Sequence, residues 1–386
     1  MKKLAIITTH PVQYNSPLFR LLTERGKINI KVFYTWGPKV LNNKYDPGFN
    51  KIIEWDIPLL DGYNHHFVYN ISKHPGSHHF NGIINPSLVQ EIKVWNADAV
   101  LVLGWNFRSH LQCMRFFYKK IPVFFIGDST LLDETKSRIK SFFKKIILKW
   151  IYAHVDKALY VGINNKAYFL NYGLKESQLL FIPHAIENER FDILENINFR
   201  QKLGISDTDT IFLFAGKFEP KKNPEMLIEA FLELNNPHAY LVMVGNGQSE
   251  DRLKNKCICL DNSIRNRIKF MDFQNQSVMP AIYKMADVLV LPSKGPGETW
   301  GLAVNEAMAS GRGVLVSDKC GCTPDLVIEG ITGYSFKSGN LSDLISKMKL
   351  MLNKEKTKIM GLQANEFIKS WSFENFAIAI ESLFIK

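Results

Sequence analysis

A chain of 386 residues is too long for one ordinary core and predicts about two domains. With 46% hydrophobic and 22% charged residues, the composition is that of a soluble globular protein and excludes a disordered or fibrous one. The net charge of +11 keeps nucleic acid, an anionic membrane surface and phosphorylated substrates open as partner classes, to be separated by where the charge lies.

After Met1-Lys2-Lys3 only residues 4–7 are apolar before Thr8, too short a run for a signal-peptide core. A strand and a cytoplasmic protein are expected, and no stretch approaches the roughly 18 apolar residues of a membrane span. Short continuous apolar runs follow at 30–33, 99–103, 123–126, 158–161 and 180–182, each with turn residues after it. Buried parallel strands have this character, and helical spacing over 16–25 and 88–95 makes the grammar βαβα. That grammar predicts a doubly wound sheet.

The densest basic cluster, 136–151, reads as one amphipathic helix. Ile139, Phe142, Phe143, Ile146, Ile147 and Trp150 form a stripe flanked by lysines. Such a helix suits peripheral contact with an anionic membrane, and equally a stripe packed on the protein's own core with the lysines facing lipid. Bulky aliphatics in the cluster and the lack of a compact recognition module argue against nucleic acid.

Residues 187–209 are polar and lack a strand pattern, so the domain boundary is expected there. The βα grammar then resumes with strands at 210–214, 239–244, 268–270, 288–291 and 314–316. The expected architecture is α/β, with two Rossmann-like doubly wound domains, 1–190 and 191–370, facing a central cleft. A terminal amphipathic helix, 371–386, is expected to pack back on the first domain.

The richest segment is L-P-S-K-G-P-G-E-T-W-G-L-A-V-N-E-A-M-A-S-G, residues 291–311. A strand ends at Leu291, a Pro/Gly loop follows, and a helix starts near Gly301. A helix N-terminus after such a loop offers unpaired N–H groups and the positive dipole end to a phosphate. Glu306, about one turn inside, leans back toward that end. It would be repulsive to phosphate and fits neutral ribose hydroxyls instead. Glu298, on the loop, would reach the far side of a diphosphate, where sugar hydroxyls lie. A second constellation, A-G-K-F-E-P-K-K-N, follows the strand 210–214. There Lys217 and Lys222 would neutralise charge building on a leaving diphosphate. Gly245 and Gly247 after the next strand permit close backbone approach.

These segments together resemble the retaining GT-B glycosyltransferases of family 4. G-E-T-W-G-L-A-V-N-E-A-M-A-S-G matches the family's two-glutamate signature, I-P-H-A-I-E-N-E-R-F (182–191) its P-N-G-V-D turn, and residues 215–223 its G-R-L…K-N loop. The resemblance implies a nucleotide-sugar donor, UDP- or GDP-linked, and a glycan or lipid-linked glycan acceptor in cell-surface polysaccharide or lipopolysaccharide synthesis. Glu306 would hold the ribose and Glu298 the transferred sugar. The amides of Gly301 and Leu302, beside Thr299, would hold the distal phosphate. Lys217, Lys222 and the adjoining Gly216 would hold the diphosphate, with the base near Phe273 and Gln274. No metal and no cofactor is implied.

The chain departs from the family at Lys217, where arginine is usual, and at Asp272, where glycine is. The first strand leads into T-H-P-V-Q-Y rather than a glycine-rich loop, and G-D-S-T stands where a histidine is common after the fourth strand. His10 and Asp128 are therefore the candidates for the polar group beside the reacting sugar. Alternatives are a non-catalytic nucleotide-sugar-binding partner subunit and a sugar-nucleotide epimerase of the same fold. Asp207-Thr-Asp209 is expected to be a turn rather than a metal motif. The histidines of 65–79 and the two C-x-C pairs (Cys257/Cys259 and Cys320/Cys322) are read as a surface loop and as reduced thiols.

Overall fold

The structure is a computed structural model describing residues 1–38, 45–134, 137–192 and 197–384. The chain divides into two units. One draws on Met1–Lys44, Pro58–His184 and Phe373–Lys386, the other on Tyr45–Ile57 and Ala185–Ser372, in each case for the described residues.

In the first unit the apolar runs become β1 (Lys2–Thr8), β2 (Ile28–Tyr34), β5 (His65–Phe67), β6 (Ala99–Leu103), β7 (Val123–Ile126), β8 (Lys157–Tyr160) and β9 (Leu179–Phe181). Strands β3 (Tyr45–Asp46) and β4 (Lys51–Ile52) form an antiparallel hairpin that belongs to the second unit. The seven strands lie in the order β5-β2-β1-β6-β7-β8-β9, with parallel pairing throughout. Burial on both faces explains why the strands read as unbroken apolar runs. The order reverses between β1 and β6, so the β1 loop carrying His10 leaves its carboxyl end at the switch point, and the β7 loop carrying Asp128 lies one strand further on. Helix Phe373–Ser382 packs on helix Ser16–Arg25. The buried Glu381 carboxylate there accepts from Arg25 Nε at 2.6 Å and Nη2 at 2.7 Å.

The second unit repeats the plan with β10 (Thr210–Ala215), β11 (Ala239–Val244), β12 (Ile268–Met271), β13 (Val288–Leu291), β14 (Gly313–Ser317) and β15 (Gly333–Phe336). Their order is β12-β11-β10-β13-β14-β15, again parallel. The sequence reading lacks β15, because only Gly333 and Phe336 of this edge strand are buried and no apolar run marks it. Phe212, Phe214, Leu227, Phe231, Leu241 and Met348 are among the residues that fill the core between sheet and helices.

Three sequence expectations change. The boundary falls at 184/185 rather than 190/191. Ile186 bridges to Ser372, Asn188 Nδ2 donates to the carbonyls of Ile368 and Trp371, and Phe191 packs on Tyr283. Residues 187–192 and 197–209 are accordingly part of the second unit rather than a linker. Helices Asn188–Asp192 and Phe199–Leu203 belong to the second unit, with Arg200 donating to Asp287 at 2.6 Å.

The segment 45–57, expected inside the first domain, joins the second unit. The basic helix runs Arg138–Tyr152 and its core face is Leu148, Ile151 and Tyr152. The predicted stripe points outward, with Ile139, Phe142, Phe143, Ile146, Ile147 and Trp150 between 46% and 72% exposed, so the reading in which the core takes the stripe is corrected. Lys136 lies outside the described residues.

The Glu381 contact carries a pH signature. Its hydrogen bonds to Arg25 hold the carboxyl below its ordinary value of 4.5. A group depressed in the folded state contributes its stability above the unfolded value and loses it as the pH falls through the folded one. Glu381→Gln should lower stability by about 2 kcal/mol at pH 7. It should also flatten the acid side of the stability–pH curve below about pH 4.5, as read by urea unfolding across pH.

Candidate functional site

The second unit gathers most of the sequence-predicted residues at the carboxyl ends of its strands. After β13 the loop runs to Gly301, whose φ of +105° is open to glycine and strained for other residues, and helix Leu302–Ala309 begins there. No side chain caps this start among the described residues, so the positive end of the helix dipole faces the loop. The loop is pinned from behind. The Gly321 amide donates to the Glu298 carbonyl at 3.0 Å and the Cys322 amide to the Trp300 carbonyl at 3.1 Å. Buried Trp300 Nε1 donates to Asn305 Oδ1 at 2.8 Å. Thr299, between them, is half-buried.

Both glutamates are taken out of water. Glu298 is 6% exposed, and its Oε2 meets Lys222 Nζ at 2.6 Å and Ser293 Oγ at 2.9 Å. Glu306 is 5% exposed, and its Oε2 accepts from the buried Tyr283 hydroxyl at 2.6 Å. Burying a carboxylate costs several kcal/mol unless partners compensate it; Glu298 is both ion-paired and hydrogen-bonded, and Glu306 is hydrogen-bonded by a buried hydroxyl. Tyr283 and Ser293 carry no signal in the sequence; only the packing of helix Met279–Met285 and the end of β13 brings them there.

The loop after β10 lies alongside. The Lys294 amide donates to the Lys221 carbonyl at 2.8 Å, joining the lysine loop to the glutamate loop. Gly216 and Gly245 meet back to back. A Cβ on Gly245 would sit 2.0 Å from the Gly216 carbonyl oxygen, so only glycine fits. Each of the two lysines expected to face a diphosphate holds a carboxylate. Lys222 holds Glu298, and Lys217 Nζ holds Asp46 at 2.9 and 3.1 Å while lying 4.9 Å above the Phe49 ring.

Phe273 and Gln274 follow β12. The Phe273 amide donates to Asn246 Oδ1 at 2.8 Å, and its ring meets Phe49 and Trp55 edge-on with centroids 4.8 and 6.1 Å apart. Gln274 Nε2 donates to the Asp272 carbonyl at 3.0 Å. Hydrogen bonds from Lys51 and Asn246 hold the Asp272 carboxyl below the usual range. That explains how an acid stands at this position.

In the first unit His10 follows β1. Its Nδ1 is 2.8 Å from Thr9 Oγ1, its ring meets Trp36 edge-on, and burial pushes its pKa down. A neutral imidazole at this position can accept a proton or a hydrogen bond. Asp128 is exposed after β7 and interacts electrostatically with His184, whose imidazole burial pushes down against the pull of that carboxylate. The sequence reading included His184 in the 182–191 match but assigned it nothing.

Asp209 sits in a turn and faces His238 at 3.2 Å. His66 faces Glu91 at 2.9 Å. Cys257, Cys320 and Cys322 are buried free thiols, and Cys259 is an exposed one. A cavity of about 670 Å³ opens at the amino ends of β7 and β8, beside Lys120, Pro122, Asp156 and Leu383. It lies at the end of the sheet opposite His10 and Asp128 and holds none of the predicted residues.

Two Rossmann-like units of this kind define the GT-B fold, and solved structures agree over the whole chain. A sucrose-phosphate synthase from Thermosynechococcus elongatus superposes with a TM-score of 0.76 at 18% identity, covering 100% of this chain and 98% of that one. HepE of Anabaena, in complex with UDP and glucose, superposes with a TM-score of 0.70 at 16% identity, covering 99% of each. Likeness at these identities establishes the fold.

Residues 195–366 match the family model described as Glycosyl transferases group 1. An uncharacterized glycosyltransferase of Methanocaldococcus jannaschii is 36% identical over 147 residues, 37% of each chain. The lipopolysaccharide 1,2-N-acetylglucosaminetransferase of Salmonella typhimurium is 28% identical over 218 residues, 54% of this chain and 56% of that protein. The aligned stretches span about half or less of these relatives' lengths.

Lys222→Met should leave the Glu298 carboxylate buried without its cation and cost about 3 kcal/mol in chemical denaturation. Adding Glu298→Gln to the same chain should restore much of that loss. A double-mutant cycle with no coupling would mean that the pair contributes nothing to the loop.

Proposed function

We propose that the protein is a retaining, metal-independent glycosyltransferase of family 4. It would move a sugar from a UDP- or GDP-linked donor to a hydroxyl of a glycan or lipid-linked glycan in cell-surface polysaccharide or lipopolysaccharide synthesis. The observation that carries this reading is the β13 loop, which sets two buried, hydrogen-bonded glutamates on either side of an uncapped helix start. Glu306 offers carboxylate oxygens to a ribose diol, and the Gly301 and Leu302 amides with Thr299 face the distal phosphate. Glu298, oriented by Lys222 and Ser293, faces the sugar hydroxyls. Gly216 and Gly245 let backbone approach the nucleotide, and Phe273 and Gln274 border the base. The family match over 195–366 and the UDP-bound HepE structure support this donor assignment.

In the reaction the bond from the anomeric carbon to the diphosphate oxygen breaks while the acceptor oxygen bonds to the same face. The acceptor's proton passes to the departing phosphate oxygen. Lys217 and Lys222 stabilise the negative charge that collects on the diphosphate, which removes the need for a metal ion. Because the leaving group takes the proton, neither His10 nor Asp128 has to act as a base. Their role is to hold the reacting sugar and the acceptor hydroxyl, with the acceptor bound by the first unit.

A lipid-linked acceptor is supported by the outward apolar stripe of helix Arg138–Tyr152. Its lysines fit the headgroups of an anionic membrane, at whose cytoplasmic face the protein would work. No helix among the described residues is long and apolar enough to cross a membrane. The similarity to the Salmonella lipopolysaccharide 1,2-N-acetylglucosaminetransferase supports the lipopolysaccharide setting.

A thermal-shift screen of nucleotide-sugars should raise Tm for the true donor. Glu306→Ala should reduce transfer by roughly a hundredfold. NMR of the product should show the donor's anomeric configuration; inversion would remove the retaining assignment, and undiminished transfer by Glu306→Ala the donor site. Phe142→Glu with Ile146→Glu should abolish co-sedimentation with phosphatidylglycerol vesicles and leave UDP binding intact.

A further inference from the structure

The hairpin β3–β4 and the residues after it belong in sequence to the first sheet, between β2 and β5, yet they pack on three carboxyl-end loops of the second sheet. At the β10 loop, Asp46 holds Lys217 and Phe49 lies under the same ammonium. At the β11 loop, the Gly48 carbonyl oxygen lies 3.0 Å from where a side chain on Gly247 would begin. At the β12 loop, Lys51 pairs with Asp272 at 2.9 Å, Phe49 and Trp55 meet Phe273, and Asp56 accepts from the Ser277 amide at 3.2 Å. These loops carry Lys217, Gly245 and Phe273, the residues assigned above to the diphosphate and base.

The hairpin tip is shaped for this position. A Cβ on Gly48 would stand 2.5 Å from Lys217 Nζ, so glycine lets the ammonium lie against the backbone. Asp46 Oδ1 also accepts from the Gly48 and Phe49 amides at 2.7 and 3.1 Å. Burial pushes the Asp46 carboxyl up, but Lys217 and the two amides outweigh it and hold it below the usual range. Asp46 is therefore an anion at neutral pH, seated on a cation that the donor also needs.

We propose that the 45–57 hairpin is a built-in competitor for the donor site, with the Asp46 carboxylate standing at Lys217 where a diphosphate oxygen of the donor would bind. This rests on the reading of Lys217 as a phosphate ligand. A diphosphate brings more negative charge than one carboxylate and displaces it. The apparent affinity is lowered by the fraction of molecules in which Lys217 is already occupied. The closed hairpin also shields Phe273 and Lys217 when no nucleotide is present, and nucleotide entry releases it.

The test is calorimetric titration of UDP and GDP into the full-length protein and its Asp46→Asn variant. Removing the charge should tighten binding roughly three- to tenfold, the range of a partly exposed ion pair. Lys217→Met should weaken binding and remove the gain from Asp46→Asn. Wild-type binding that Asp46→Asn leaves unchanged or weakens overturns the competitor and spares the donor site. Absence of binding to both proteins overturns the donor reading and the competitor with it. Hydrogen exchange on the wild type, which needs no variant to fold, gives a second readout. Faster exchange over 45–57 on adding UDP supports displacement; unchanged or slower exchange overturns it.

Discussion

The second unit is organised around the burial of two carboxylates. Glu298 and Glu306 are both almost completely removed from water, a costly arrangement for ions unless every approach is answered by a donor or a cation. Lys222 and Ser293 answer Glu298, and Tyr283 answers Glu306. These partners come from the β10 loop, the end of β13 and the helix before β13, so much of the unit must be folded before the site exists. Side chains held in this way have their orientation set by the packing and hydrogen bonds around them.

The cations obey the same rule. Lys217 and Lys222 are each neutralised by an internal carboxylate. The two pairs differ in depth. Lys222–Glu298 is enclosed and joins two loops of the site. Lys217–Asp46 is about one-third exposed on both sides and joins the site to a hairpin. Exposed pairs are worth little and exchange readily, whereas enclosed ones resist separation. One pair is thus suited to holding a loop in place and the other to being exchanged for a ligand.

The fold was legible in the sequence where burial makes strands continuously apolar. Runs such as 99–103 and 239–244 appear as β6 and β11 with their ends nearly unchanged. Short or half-exposed elements left no such mark. Edge strand β15 buries only its two end residues, and β3 and β4 are two residues each. The basic helix was visible as an element, but its orientation was not. Leu148, Ile151 and Tyr152 anchor it to the core, and the wider stripe of larger apolar residues faces outward. A wheel shows which residues share a face, and only the neighbouring sheet decides which face it needs.

The sequence by itself determined the two βα sheets, the strand–loop–helix unit bearing Glu298 and Glu306, and the glycines at close backbone approaches. These are local matters of apolar periodicity, helix starts and the absence of a Cβ. Tertiary structure alone decided the partners of the charged groups: Tyr283 for Glu306, Lys222 for Glu298, and Asp46 for Lys217. It also moved the 45–57 hairpin to the second unit. Asp46 and Lys217 are 171 residues apart in the chain, and no periodicity or spacing encodes such a pairing. It arises because folding brings two partly desolvated ions of opposite charge within reach of each other.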